Sequence, residues 1–216
     1  MHKFIEALRK RLQEPLPGEA AHNLMASITR SNIKFRTKPN STTKESAVLV
    51  LFYQDEDKIK LPLILRPVYE GVHSGQIGLP GGRMEKADQD FYETALREAK
   101  EEIGINPADV TVIGHLSDLF VFASNHMVHP VVGYTQHKPV FLIDPREVDQ
   151  LIEVPLSTLL DKSIRGITNI VVSGNMEISA PYFDVDGHTV WGATAMMLSE
   201  LLTVINELED ERSFSS

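Results

Sequence analysis

The sequence predicts a mixed α+β layer fold. Short apolar runs bounded by turn residues read as strands in the first half of the chain and again past its middle. Two longer stretches, around 91–103 and 190–208, carry helical character. The two kinds of element alternate without the regular βαβ repeat of a doubly wound sheet.

The elements follow in order. Phe4, Ile5, Leu8 and Leu12 recur at helical spacing, and the Pro-Leu-Pro-Gly run at 15–18 ends that helix. A short helical stretch follows near Ala20–Met25, and Thr37–Lys44 is polar and loop-like. The apolar run 46–53, the polar turn 54–58 and the run 59–66 read as a hairpin. A long loop then leads to Gly81-Gly82. A helix is expected from Phe91 to Ile103, stopped by Gly104 and Pro107. Residues 110–116 and 127–134 read as strands, 156–160 as a short helix and 167–174 as a strand. Residues 190–208, rich in Ala, Met and Leu, form the most helix-like stretch.

The chain has 216 residues, with 42% apolar and 24% charged residues, which suits one globular domain with an added arm. We read 1–45 as an N-terminal helical arm and 46–216 as the body. The net charge of −9 argues against unaided binding to a nucleic-acid backbone or an anionic membrane. An anionic substrate would therefore need an offsetting charge, for which a divalent cation is the obvious candidate. There is no cysteine, hence no disulfide, thiolate metal site or cysteine nucleophile. No apolar run approaches the ~20 residues of a membrane span, and the first ten residues lack the apolar core of a signal peptide. The expectation is a soluble, cytosolic protein.

The most informative stretch runs from Gly78 to Ile105. On a helical wheel with Glu98 at zero, Glu101 and Glu102 fall at roughly 300° and 40°. Tyr92, Leu96, Ala99 and Ile103 cluster at roughly 100–160° as the expected buried stripe. Three carboxylates at i, i+3 and i+4 repel one another, so the arrangement does not serve helix stability. Oxygen ligands on a rigid element are what Mg²⁺ or Mn²⁺ requires. Paired glutamates on a helix are often only a solvated face. The preceding Pro80-Gly81-Gly82 changes the balance, because glycines allow close backbone approach to a metal or phosphate. Arg97, four residues before Glu101, can pair with it and fix its orientation.

These residues resemble the Nudix box, G-x5-E-x7-R-E-U-x-E-E-x-G-U with U aliphatic. Its second half matches as Arg97-Glu98-Ala99-Lys100-Glu101-Glu102-Ile103-Gly104-Ile105. Asp88 stands in the first glutamate's place, one residue further from Arg97 than the pattern has it; the same expansion is familiar in the coenzyme A diphosphatase-like branch. The segment His73-Ser74-Gly75-Gln76-Ile77-Gly78-Leu79-Pro80-Gly81-Gly82 resembles that branch's HxGQxxFPGG, and Leu65-Arg66 lies at the spacing of its LLTxR. Val131-Val132-Gly133, Glu147-Val148, Val154-Pro155-Leu156 and Trp191-Gly192-Ala193-Thr194 also fall in the branch's order. Ile64, Gly71 and Leu79 depart from the branch signature, replacing a threonine, an arginine and a phenylalanine.

The resemblance implies a Nudix α/β/α sandwich, a mixed curved sheet with the box helix on one side and 190–208 on the other. It also implies a diphosphatase acting on a nucleoside diphosphate linked to another moiety, with coenzyme A or a derivative the first candidate. The alternatives are ADP-ribose or another nucleotide as substrate, or a Nudix module that senses a nucleotide without cleaving it. Metal ligands by this resemblance are Glu98, Glu101, Glu102 and the Gly81 carbonyl, holding Mg²⁺ or Mn²⁺, with Arg97 supporting them. The general base is a box glutamate or an acid on a distant loop; Glu147 and Glu153 are candidates that also read as ordinary surface acids. Arg66, His73 and Gln76 are the candidate substrate contacts. A structural ion pair suits Arg66 equally well, and a loop-anchoring hydrogen bond suits His73. Phe120 and Phe122 offer either stacking or core packing. His126 and His129, flanking Val128, are expected on one strand face, a metal pair without a third ligand. Trp191 is expected to pack the last helix on the sheet. The amphipathic arm, together with the frequency of dimers among similar enzymes, points to a homodimer.

Overall fold

The computed structural model describes residues 1–27, 38–71, 73–172 and 176–213. Its centre is the twelve-residue strand β1 (Lys44–Asp55), which turns through Glu56 into β2 (Lys58–Leu65) as the hairpin the sequence predicts. Two short strands lie inside the expected long loop: β3 (Ile77–Gly78) pairs with β2, and β4 (Gly81–Arg83) pairs with the start of β1. After helix α3 (Phe91–Ile103) come β5 (Val110–His115), β6 (Leu119–Val121) and β7 (His126–Thr135). Strand β7 runs parallel to β1, whereas the other pairings are antiparallel, so the sheet is mixed. β8 (Gln150–Pro155) adds to β2 and leads into the short helix α4 (Leu156–Leu160). A second sheet of β9 (Arg165–Val172), β10 (Met176–Val185) and β11 (His188–Trp191) precedes the long helix α5 (Gly192–Ser213).

Period-two alternation along β1 builds the sandwich. Ala47, Leu49 and Leu51 point to one side, where they meet Ala95, Ala99 and Ile103 of α3. Val50 and Phe52 point to the other, into the core that holds Leu198, Leu201 and Leu202 of α5. The chain thus forms the expected α/β/α sandwich, with α3 and α5 on opposite faces.

Two local expectations need correction. The buried stripe of α3 is centred on Ala95, Ala99, Glu102 and Ile103, while Tyr92 and Leu96 are half-buried at its edge. Helix α5 begins at Gly192, because β-branched Val190 and aromatic Trp191 pair with Phe183 and Tyr182 as the end of β11. Strands β6, β8, β10 and β11 match no expected element; β8 pairs with the distant β2, whereas β10 pairs with its neighbours β9 and β11. The expected strand 167–174 is β9, and its residues 173–174 lie outside the described residues, as does Thr37 of the expected polar loop.

The N-terminal residues form α1 (His2–Arg11) and α2 (Glu19–Asn23) and pack within the chain. Ile5, Leu8 and Leu12 are buried in the core that α5 lines. Glu200 on α5, fully buried, accepts from the Gly18 amide (2.9 Å), the Ser117 amide (3.1 Å) and the Ser117 hydroxyl (2.6 Å), and lies 2.9 Å from His22 Nε2. Four partners satisfy that carboxylate, which makes the arm's attachment specific as well as apolar. The apolar face that motivated a homodimer is therefore used inside one chain. No helix among the described residues is long and apolar enough to cross a membrane.

Candidate active site

Helix α3 is set by its ends. Asp90 accepts from the Glu93 amide (2.9 Å), Glu93 accepts from the Gln89 amide (2.8 Å), and Gly104 closes the helix in the left-handed region at φ +74°. Lying on β1 by its alanine face, the helix turns Glu98 and Glu102 toward the glycine strand β4.

Two close approaches shape this junction. Gly81 has φ +154°, and a Cβ there would stand 2.3 Å from the Ala47 carbonyl oxygen. Only glycine lets β4 lie this tightly on β1. At Gly82 a Cβ would stand 2.5–2.6 Å from the Glu98 carboxylate, so the missing side chain is the space that carboxylate occupies. Glu102, 1% exposed, accepts from the Gly81 amide through Oε2 (2.7 Å) and from Arg66 Nη1 through Oε1 (3.1 Å). Arg66 Nη2 also donates to the Gly81 carbonyl (2.9 Å).

A third carboxylate arrives from a distant segment. The last carbonyls of α3 accept from a passing loop, Ile103 from the Leu142 amide and Glu102 from the Asp144 amide, both at 3.0 Å. A turn in which the Glu147 and Val148 amides donate to the Asp144 carbonyl follows, with Val148 fully buried as its anchor. That turn brings Glu147 to the helix. One carboxylate oxygen each from Glu98, Glu102 and Glu147 lie within 4.8 Å of one another. Of the three expected helix carboxylates, Glu101 stays outside this group; it is half-exposed and accepts from Arg97 Nη1 at 3.1 Å. At i+3 it diverges from Glu98 toward solvent, whereas Glu102 at i+4 lies directly below.

The donor set suits a hard divalent cation. Three carboxylates converge with a backbone carbonyl beside them, all oxygen donors. Burial raises the Glu98 carboxyl above its ordinary range, opposed by Arg97. Burial pushes Glu102 up to about 7, against the pull of Arg66 and the Gly81 amide, and the neighbouring Glu98 and Glu147 charges add to the rise. The cluster is thus short of positive charge, and a divalent ion would supply it.

Arg97 holds the cluster from behind. It forms a two-bonded fork with Asp88 (3.0 and 2.9 Å), reaches Glu98 (2.9 Å) and donates to the Arg83 carbonyl (3.0 Å). Asp88 also accepts from Thr94 Oγ1 (2.9 Å), and the Arg97 guanidinium holds its carboxyl well below the usual carboxylate range. The residue that departs from the box pattern therefore serves as the anchor of the box arginine. Asp88→Ala should cost about 2 kcal/mol, the value of hydrogen bonds to a charged group, read by urea unfolding. An unchanged midpoint would show that Arg97 is held without it.

The remaining candidates fall into place unevenly. His73 Nδ1 lies 3.2 Å from Gln76 Oε1, the loop-anchoring bond, and Gln76 lines a groove of about 430 Å³. The groove's other wall is the second sheet, including Thr168, Asn169, His188 and Thr189. Trp191 also lines it, at the end of β11 and ahead of α5. Glu153 accepts from the Tyr53 hydroxyl (2.7 Å) and takes no part in the carboxylate group. Phe122 is 61% exposed and so does not pack the core; Phe120 is half-buried on β6. His126 and His129 do not share a face, because three residues in a period-two strand lie on opposite sides. His126 meets Ser46 (2.7 Å), whereas His129 stacks on Phe91 and sits between Asp118 and Glu45.

Comparison with known proteins agrees with this geometry. The NUDIX domain family matches residues 43–168. Nudix hydrolase 22, chloroplastic, of Arabidopsis thaliana is 31% identical over 181 residues, covering 80% of this chain and 57% of that protein. This chain therefore spans little more than half of that relative's length. The peroxisomal coenzyme A diphosphatase NUDT7 of Mus musculus is 32% identical over 163 residues, covering 76% of this chain and 68% of that protein. The crystal structure of a MutT/nudix family protein from Enterococcus faecalis aligns with a TM-score of 0.50 over 91% of this chain and 76% of that one. At 14% identity that likeness is one of fold alone.

Proposed function

The chain belongs to the Nudix family, and from that premise we propose that it is a metal-dependent diphosphatase that splits coenzyme A or a derivative into 3′,5′-ADP and 4′-phosphopantetheine. The observation that carries the reading is the convergence of Glu98, Glu102 and Glu147 behind the Gly81-Gly82 strand. The box carboxylates Glu98, Glu101 and Glu102 are all retained, which favours an enzyme over a module that only senses a nucleotide.

Glu98 and Glu102, with the Gly81 carbonyl, would hold Mg²⁺ or Mn²⁺. When bound, such an ion offsets the diphosphate charge and makes a bound water more acidic. Arg97 keeps the Glu98 carboxylate aimed inward and also pairs with Glu101, the third carboxylate proposed for the ion. Glu147, the exposed member, takes the proton of the attacking water. Among the described residues, no Asp, Glu, Lys or Arg lines the groove beside Gln76, which suits an uncharged part of the substrate better than a phosphate. The departures from the coenzyme A signature weigh unequally. Ile64 and Leu79 are buried in the two cores, so their side chains are packing choices. Gly71 lies in the exposed loop and removes a cationic contact.

The relative's name supports the substrate: the mouse protein named above is a coenzyme A diphosphatase. The cytosolic location remains part of the proposal, since the relatives' names carry chloroplast and peroxisome. The buried arm removes one of the two motives for a homodimer and leaves the frequency of dimers among similar enzymes; light scattering at micromolar concentration reads the assembly state. The purified protein should be screened with Mg²⁺ or Mn²⁺ against coenzyme A, acyl-CoA, ADP-ribose, dinucleoside polyphosphates and nucleoside triphosphates, with product masses recorded. Coenzyme A or its thioesters should yield 3′,5′-ADP. Brisk cleavage of ADP-ribose with none of coenzyme A would overturn the substrate and leave the metal chemistry standing.

A further inference from the structure

We infer that Arg66 is an exchangeable counter-ion, which pairs with Glu102 in the metal-free protein and is released toward the substrate diphosphate when the ion binds. The inference rests on reading Glu98, Glu102 and the Gly81 carbonyl as the ion's ligands. One guanidinium bridges two of the oxygens that ion would use. Nη1 donates to Glu102 Oε1 at 3.1 Å and Nη2 to the Gly81 carbonyl at 2.9 Å. Glu102 has no water to turn to, being 1% exposed, and its second oxygen is taken by the Gly81 amide at 2.7 Å. Arg66 is therefore the cation that makes this buried carboxylate tolerable without a metal.

A divalent ion on the same oxygens would sit against that guanidinium. Like charges at such a distance repel, and the ion's short oxygen bonds leave no place for the Arg66 donors on the lone pairs it uses. The side chain is free to leave. Its own exposure is 25%, it follows the last residue of β2, and its backbone amide is pinned to the Gln76 carbonyl at 3.1 Å, so the guanidinium can pivot about a fixed Cα. Beside it Gly78 offers no side chain to block the swing. Once displaced, an arginine fork beside the carboxylate cluster is a ready donor for a diphosphate. Ion and substrate then bind in a favoured order, with the ion first.

The test is Mn²⁺ affinity without substrate, measured calorimetrically and by electron paramagnetic resonance on wild type, Arg66→Ala and Arg66→Lys. A latch that competes with the ion lowers its apparent affinity by the unlatched fraction. Arg66→Ala should therefore tighten Mn²⁺ by about tenfold, with Arg66→Lys between. The same alanine variant, loaded with Mn²⁺, should bind methylenediphosphonate roughly tenfold more weakly. Weaker or unchanged Mn²⁺ binding in Arg66→Ala would overturn the exchange and make Arg66 a fixed support of Glu102. If the wild type binds no Mn²⁺ at all, the metal-site reading itself falls. Because the alanine variant can misfold, the wild type gives a second readout. The Arg66 Nε–H resonance should move, and its hydrogen exchange should quicken, on adding Mg²⁺; an unmoved resonance at saturating Mg²⁺ overturns the inference.

Discussion

Glu102→Gln is expected to abolish most diphosphatase activity at saturating Mg²⁺ or Mn²⁺, by roughly 10²–10³-fold, the scale of removing one preorganised electrostatic group. The fold should survive, because the amide keeps the size of the side chain and its carbonyl can still accept from Gly81 or Arg66. Turnover equal to wild type would remove Glu102 from the metal chemistry. The same variant carries a second readout without metal. In the folded chain the Glu102 carboxyl is pushed up to about 7, mainly by burial, from its ordinary value of 4.5. Between those values the folded state holds a proton that the unfolded state has released. Metal-free stability therefore falls as pH rises through this window, once the contribution of this group is isolated. The wild type should lose stability relative to Glu102→Gln as pH rises from about 4.5 to about 7, read as the difference between their urea midpoints in excess chelator. A constant difference would show that Glu102 titrates as an ordinary carboxylate.

A pair of alanine substitutions in the glycine strand is expected to separate stability from metal binding. At Gly81 the new Cβ would meet backbone, 2.3 Å from the Ala47 oxygen and 2.5 Å from the Val48 Cα. Neither atom can yield without moving β1, the central strand of the sheet. Gly81→Ala should therefore cost about 3 kcal/mol or more, in the range of severe backbone and overpacking defects. At Gly82 the new Cβ would meet only the end of the Glu98 side chain, which can rotate away. Gly82→Ala should leave the unfolding midpoint nearly unchanged and weaken Mn²⁺ binding by about ten- to a hundredfold, the scale of disturbing a ligand's support. Equal loss of stability in both variants would show that Gly82 is needed for the strand and not for the carboxylate. Unchanged Mn²⁺ affinity in Gly82→Ala would remove Glu98 from the ligand set.

Much of this was legible in the residues, because it depends on interactions between near neighbours in the chain. Helix α3 runs from Phe91 to Ile103 as its periodicity indicates, since Asp90 caps one end and Gly104 breaks the other. The hairpin of β1 and β2 follows from two apolar runs around a polar turn. Glu98 and Glu102 face one way because four residues nearly complete a helical turn. The glycines ahead of them mark a close approach, which the structure places against the Glu98 carboxylate and the β1 backbone. The order of the box residues and of the upstream glycine-rich segment was sufficient to indicate the family.

Tertiary packing alone decided the rest. Glu147 joins the carboxylates because the loop at 142–148 caps the carbonyls at the end of α3, a partnership across about forty residues that no local pattern encodes. Glu101 and Glu102 are adjacent and chemically identical in sequence. One becomes half-exposed and the other nearly dry, because β4 covers only one edge of the helix. Arg66 could have been a free phosphate contact or an ion pair; the seating of Gly81 on β1, within reach of the Arg66 guanidinium, made it the partner of Glu102. The amphipathic arm could have faced a second copy, but the buried Glu200 and the apolar face of α5 drew it into its own chain. Local spacing determines which side chains share a face of one element, whereas burial and charge pairing depend on what the rest of the chain lays over that face.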